Sequence, residues 1–200
     1  MNFLGRLASA LAEKTAPRTG TTELLEKMEE SLKKTFQKKK IYIGADHAGF
    51  ELKEALKEFL KAEGYEVEDK GAFFYDPDDD YPDLIFPVAE AVAGDPESRG
   101  IVIGGSGQAE AIVANRVRGV RAAVFYATRT PLQAADISGR QSTDPFEIIR
   151  LSREHDDANV LSLAARFISE EEAKKAVLLW LETPFSGGRH ERRLKRIDGG

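Results

Sequence analysis

Residues 101–119 carry the densest chemistry in the chain. Ile101, Val102 and Ile103 form a short apolar run that reads as a buried parallel strand. Gly104, Gly105, Ser106 and Gly107 follow at once, and glycines let the backbone turn sharply and approach a ligand closely. Residues 109–117 have the composition of a helix, which Gly119 stops. A strand, a glycine turn and a helix N-terminus make a ready place for an anion or a developing oxyanion. Glu110 falls in the first turn of that helix, and a carboxylate there can move a proton.

Three readings of the stretch compete. The bland one is a strand-to-helix connection with glycines for tight packing. The second is a dinucleotide fingerprint, but Glu110 replaces the third glycine of the pattern and no acidic residue follows about 20 positions on. The third is a catalytic turn that holds a phosphorylated sugar. Other polar clusters bear on the choice. Asp46 and His47 follow an apolar run at 41–45, where open α/β sheets bind ligands. On bland grounds Asp46 is a helix N-cap and His47 a surface histidine. His155 sits in an Arg-Glu-His-Asp-Asp run, and His190 lies in the basic tail with Arg189 and Arg193. That tail is either solvated or holds phosphate through guanidinium contacts. The protein's three histidines all fall at element ends beside charges, which favours an enzyme. Asp76, Asp78, Asp79, Asp80 and Asp83 look like a cation site at first glance. They lack the glycine and terminal glutamate of a calcium loop, so the expectation is a solvated acidic loop and no metal.

Composition bounds the rest. The 200 residues suit one domain with an appendage, and 42% hydrophobic with 32% charged content is that of a soluble globular protein. A net charge of −5 argues against a nucleic-acid surface. With no cysteine there is no disulfide, thiolate nucleophile or cysteine metal site, which fits a cytoplasmic setting. No apolar run is long enough to span a membrane, and the N-terminus lacks the form of a signal peptide.

The elements that must position these residues follow in order. Residues 1–39 read as a helical N-terminal extension that packs on its own domain or a partner subunit. The main domain, 40–200, opens with a strand at 41–45 and a helix to about Ala62. A strand near 65–71, a helix opened by Pro82 and ended near Gly94, and the glycine turn come next. A fourth strand covers 121–126. Residues 131–146 are an inserted loop, with a short helix expected at 131–137. A helix to Glu154, a fifth strand at 159–164, and a helix from an N-cap at Ser169 to Leu181 complete the order. The expected fold is α/β, a Rossmann-like three-layer α/β/α arrangement with a five-stranded parallel sheet.

Read together, five motifs resemble the ribose-5-phosphate isomerase B family, whose wider family includes the galactose-6-phosphate isomerase subunits. They are Gly44-Ala-Asp46-His47-Ala-Gly49-Phe50-x-Leu-Lys53; Asp80-Tyr81-Pro82; Gly104-Gly-Ser106-Gly-Gln-Ala-Glu110 with Ala114-Asn115-Arg116; Arg153-Glu-His155-Asp-Asp-Ala-Asn159; and Gly187-Gly-Arg189-His190-x-x-Arg193. The resemblance covers roughly 41–197. It implies aldose–ketose isomerisation of a sugar phosphate, ribose 5-phosphate first, through an enediolate and without metal or cofactor. Allose or galactose 6-phosphate is the six-carbon alternative, and a non-catalytic sugar-phosphate-binding protein is the other. The resemblance also implies roles. Glu110 would shuttle the proton, and Ser106 with the amides of Gly105 and Gly107 would stabilise the enediolate. His155 would open the furanose ring with help from Asp46. His47, Arg166, Arg189 and Arg193 would hold the phosphate, and Tyr81 would line the pocket. It further implies a homodimer or homotetramer whose sites combine residues from two subunits. Some members carry a cysteine base at the position of Gly104. The chain departs from the family pattern at Asp156 in place of asparagine, at Leu163–Ala165 and in the 131–146 insertion, and the 1–39 arm is extra.

Overall fold

The computed structural model describes residues 38–199, so the extension expected over 1–39 lies, up to residue 37, outside the described residues. Eleven elements follow: β1 (Ile41–Ala45), α1 (Phe50–Ala62), β2 (Val67–Asp69), α2 (Tyr81–Gly94), β3 (Arg99–Gly104), α3 (Gln108–Ala114), β4 (Ala122–Phe125), α4 (Glu147–Glu154), β5 (Val160–Ala164), α5 (Glu170–Glu182) and α6 (Arg189–Ile197). The strands form one parallel sheet in the order β2-β1-β3-β5-β4. Among the described residues no helix is long and apolar enough to cross a membrane.

The period-2 alternation of the strands builds two cores. Ile41 and Ile43, Ile101 and Ile103, and Leu161 and Leu163 point to one face, where α1, α4 and α5 cover them with Leu56, Ile149 and the fully buried Trp180. Tyr42, Val102 and Val160 point to the other face, under Val88 and Val92 of α2 and Val113 of α3. With both faces covered, β1, β3 and β5 are buried along their whole length, and all but Arg99 and Ser162 of their residues are apolar or glycine. The expected N-cap at Ser169 is formed as a full capping box with Glu172.

Two local expectations are corrected, and one segment without an assignment gains one. The helix after the glycine turn ends at Ala114 rather than Val117, because the Asn115 amide turns away to pair with both backbone groups of Ala122. No helix forms over 131–137. Asp136 instead accepts from the Ser138 backbone N–H and hydroxyl, which closes a side-chain turn. The basic tail, to which the sequence assigns no secondary structure, forms α6 over 189–197 and buries only His190 and Leu194, one turn apart.

Candidate active site

The sheet order reverses between β1 and β3, so the crevice outside their carboxyl ends is the natural ligand site of this topology. Asp46 and His47 leave β1 there, Gly105–Gly107 leave β3, and Arg166 leaves β5. Backbone bonds stitch these exits together: Asp46 N–H to the Ile103 carbonyl at 3.2 Å, Ala165 N–H to Gly104 at 2.9 Å and Arg166 N–H to Gly105 at 3.1 Å. Gly107 has φ +72°, the left-handed region that side chains disfavour, and its carbonyl accepts from Ser162 Oγ at 2.6 Å. The turn is thus held in one shape, and the exposed Ser106 presents its hydroxyl beside it. Because α3 has only seven residues, any anion site here rests on the turn's own amides and side chains more than on a helix dipole.

Glu110 is 3% exposed, and its carboxyl group lies directly on Gly104. A Cβ at position 104 would stand 2.1 Å from Glu110 Oε1, so this carboxylate occupies the space that any side chain on the first turn residue would need. Glu110 Oε2 is buried without a hydrogen-bond partner in the protein. Burial, followed by the negative charge of Asp46, pushes its pKa up against the pull of the Glu110 and Gly107 backbone N–H groups. Asp46 is itself pushed up, chiefly by burial and partly by Asp79. Its carboxylate does accept from the Gly49 N–H at 3.0 Å, but the helix N-cap is Gly49, so Asp46 closes the turn ahead of α1 rather than capping it.

His47 Nδ1 pairs with Asp79 Oδ1 at 2.8 Å. That bond is the main cause of a raised His47 pKa, with Asp46 adding to it and the positive Arg166 opposing it. The expectation of a solvated acidic loop therefore fails at Asp79. Its side chain is 9% exposed and its second oxygen is buried without a partner. Nothing in the spacing of the acidic run distinguishes Asp79 from its neighbours; the signal was a lone histidine with acidic residues downstream. Among the described residues no cluster of histidine and carboxylate is arranged to hold a metal ion. Arg166 lies across the turn, with its Nε 3.2 Å from the position of a Cβ on Gly105. Tyr81 opens α2 two residues after Asp79 and is 38% exposed. His47, Arg166 and the turn amides thus give this edge a cationic rim beside a buried carboxylic acid.

The remaining candidates gather elsewhere. His155 caps the C-terminal end of α4, a short turn ahead of β5, and so lies at the amino edge of the sheet. Its ring stacks on His190 with centroids 4.2 Å apart and an interplanar angle of 10°. Arg189 Nε donates to His190 Nε2 at 3.2 Å, which makes that nitrogen an acceptor. Burial first, then the neighbouring His155 imidazole and the positive charges of Arg189 and Arg193, hold the His190 pKa down. Two contacts hold α6 and its approach at this edge: Ser186 N–H on the Glu154 carbonyl at 3.0 Å and Arg121 on Asp198 at 3.3 Å. A cavity of about 420 Å³ opens between His155, His190, Arg189 and residues of the 126–146 connection.

A five-residue strand separates the two edges by about 16 Å. One chain therefore brings together Asp46, His47, Gly105, Ser106, Gly107, Glu110 and Arg166, with Tyr81 on the rim. It brings together His155, Arg189 and Arg193 separately. His190, one of the three charge-flanked histidines and part of the fifth motif but without an expected role, is the buried partner of both His155 and Arg189.

Comparison with known proteins agrees with this geometry. A sequence model described as Ribose/Galactose Isomerase matches residues 41–141 and 141–197. Ribose-5-phosphate isomerase B of Mycobacterium leprae is 39% identical over 156 residues, which is 78% of this chain and 85% of that protein. Among solved structures, ribose-5-phosphate isomerase B of Mycoplasma genitalium, determined with bound ribulose-5-phosphate, superposes with a TM-score of 0.69 at 36% identity, covering 80% of this chain and 93% of that one. The Clostridium thermocellum protein gives 0.68 at 41% identity, covering 80% and 95%. With its carboxylate seated on a glycine turn, its Rossmann-like sheet and these relatives, the chain belongs to the ribose/galactose isomerase family.

Proposed function

We propose that this protein interconverts ribose 5-phosphate and ribulose 5-phosphate, with Glu110 as the proton-transferring base. The observation that carries the reading is the Glu110 carboxyl: buried, pushed toward neutral pH, and left with one unpartnered oxygen beside a rigid glycine turn. Isomerisation of an open-chain aldose needs a group that takes the proton from C2 and returns it to C1, and a carboxylate tuned upward does both. Negative charge grows on the sugar oxygen as the proton leaves. The Ser106 hydroxyl and the turn amides are placed to receive it. Asp46 assists at the ring or hydroxyl groups, and His47 and Arg166 supply positive charge for the phosphate.

Ring opening by His155 and phosphate binding by Arg189 and Arg193 come from a second copy of the chain. The two half-sites lie too far apart in one subunit to meet on one small sugar, so the working unit is a homodimer, or a tetramer of such dimers. The exposed Phe73, Phe74 and Tyr75 adjoin the carboxyl-edge half-site and offer an apolar surface for that contact.

The direct test is turnover of ribose 5-phosphate by the purified protein, with and without EDTA. Turnover that is indifferent to EDTA is expected. Tight binding without turnover would reassign the site to a sugar-phosphate sensor.

The His47–Asp79 pair makes a pH prediction. Asp79 favours the protonated imidazole, so cationic His47 is present at low pH and is lost as pH rises through its raised pKa. Asp79→Asn should move the alkaline rise of KM to lower pH. Near that limb it should raise KM about tenfold, the scale of one charged hydrogen bond. A KM–pH profile that does not move would remove Asp79 from the site.

A further inference from the structure

The connection between β4 and α4, residues 126–146, has neither helix nor strand and exceeds the roughly 12–15 residues beyond which such loops usually serve a function. It leaves β4 at the carboxyl edge, yet it reaches the amino-edge end of α4, where His155 sits. One arginine bolts it there. Arg140 contacts Asp136 of its own turn at 3.2 Å, Glu147 at the start of α4 at 2.9 Å and Glu154 at its end at 2.7 Å. Glu147 is almost fully buried and also accepts from Ser142 Oγ at 2.8 Å, which fastens the loop a second time. Two backbone bonds, Ala135 N–H to Arg140 and Arg129 N–H to Pro145, close it on itself. With three carboxylates around it, the Arg140 guanidinium is satisfied within the protein and is a fastening rather than a phosphate ligand. Hydrogen bonds, first from the Ser138 hydroxyl, push the Asp136 pKa down to about 2, so the fastening stays charged across the physiological range.

So fastened, the loop walls the cavity that holds His155 and Arg189. Asp136, Ile137, Ser138 and Arg140 form its other side. Its volume of about 420 Å³ is in the range of small-metabolite pockets, about 300–1,000 Å³. Ile137 is 82% exposed, an apolar side chain standing at the rim with no core to join. We infer that this strap is a specificity element: Ile137 and Ser138, held in place by Arg140, limit the length of sugar phosphate that the His155–Arg189 half-site accepts and favour five carbons over six. The inference rests on the isomerase reading of the same half-sites. A rigid wall discriminates by excluding one extra hydroxymethylene unit, and it loses that power once it is free to move aside.

The test measures both turnover and binding. kcat/KM for ribose 5-phosphate and for allose 6-phosphate is compared in the parent, Arg140→Gln and Ile137→Ala, the last being a surface change that cannot unfold the protein. The same two affinities are measured calorimetrically in a Glu110→Gln background, with and without Arg140→Gln. The five-to-six-carbon ratio should fall about tenfold in Arg140→Gln, the lower end of what one methylene-sized unit is worth, and less in Ile137→Ala. Ribose 5-phosphate turnover should stay near the parent value. A ratio unchanged in both variants overturns the strap. A fallen affinity ratio with no turnover in the parent supports the strap and sinks the isomerase reading. Binding of neither sugar phosphate overturns both.

Discussion

Glu110→Gln should lower kcat for ribose 5-phosphate by about 10²–10⁴-fold, the usual contribution of a positioned general base, with KM changed far less. Glutamine keeps the shape of the side chain that rests on Gly104 and removes only the ability to take a proton. Burial and the Asp46 charge raise the Glu110 pKa in the folded protein. A raised folded pKa means that the group's contribution to stability is full below its unfolded pKa and is lost as pH rises through the folded value. Above that folded value the ionised carboxylate is therefore a burden on the fold, and the neutral glutamine relieves it. The variant should melt no lower than the parent at pH 8, so lost turnover cannot be put down to unfolding. For the parent, the acid limb of kcat should lie above the ordinary glutamate range. A variant that retained turnover within tenfold of the parent would give the proton transfer to another group, with Asp46 first in line.

Mixing two dead chains should restore activity. Glu110→Gln damages the carboxyl-edge half-site, and His155→Ala damages the amino-edge half-site. If each working site joins one edge from each subunit, a mixed dimer carries one site with both lesions and one with none. Random mixing after co-expression leaves about a quarter of all sites intact by the two-fold symmetry of such a dimer. Recovery of that order from two parents that are each inactive is expected. Absence of recovery, in a preparation shown by mass and tags to contain mixed dimers, would mean that the half-sites do not meet across subunits. The crossing follows from where each residue sits on the sheet. Asp46, Gly105 and Arg166 leave the carboxyl ends of β1, β3 and β5, whereas His155 precedes β5 and Arg189 packs beside it. A strand lies between them, and the 126–146 connection, which does run from the carboxyl edge to the amino edge, carries none of these residues.

The sequence by itself determined the layers and the chemistry on offer. Short, mostly apolar runs at 41–45, 101–104 and 160–164 read as strands buried on both faces, and helical stripes between them point to parallel crossovers. The glycine turn and a carboxylate in the first helical turn after it are adjacent in the chain, so local spacing alone makes Glu110 a candidate base. Contacts between partners far apart in sequence were out of reach of spacing. That Asp79 rather than Asp78 or Asp80 meets His47 depends on how the loop folds back across 32 positions. α6 was hidden because RHERRLKR offers few apolar positions to show a helical period; its stability comes from burying His190 and Leu194 against the amino edge. The division of the site residues between two edges was hidden for the same reason. Composition and spacing name the groups, but the direction of each strand and the packing of each helix decide which end of the sheet they reach.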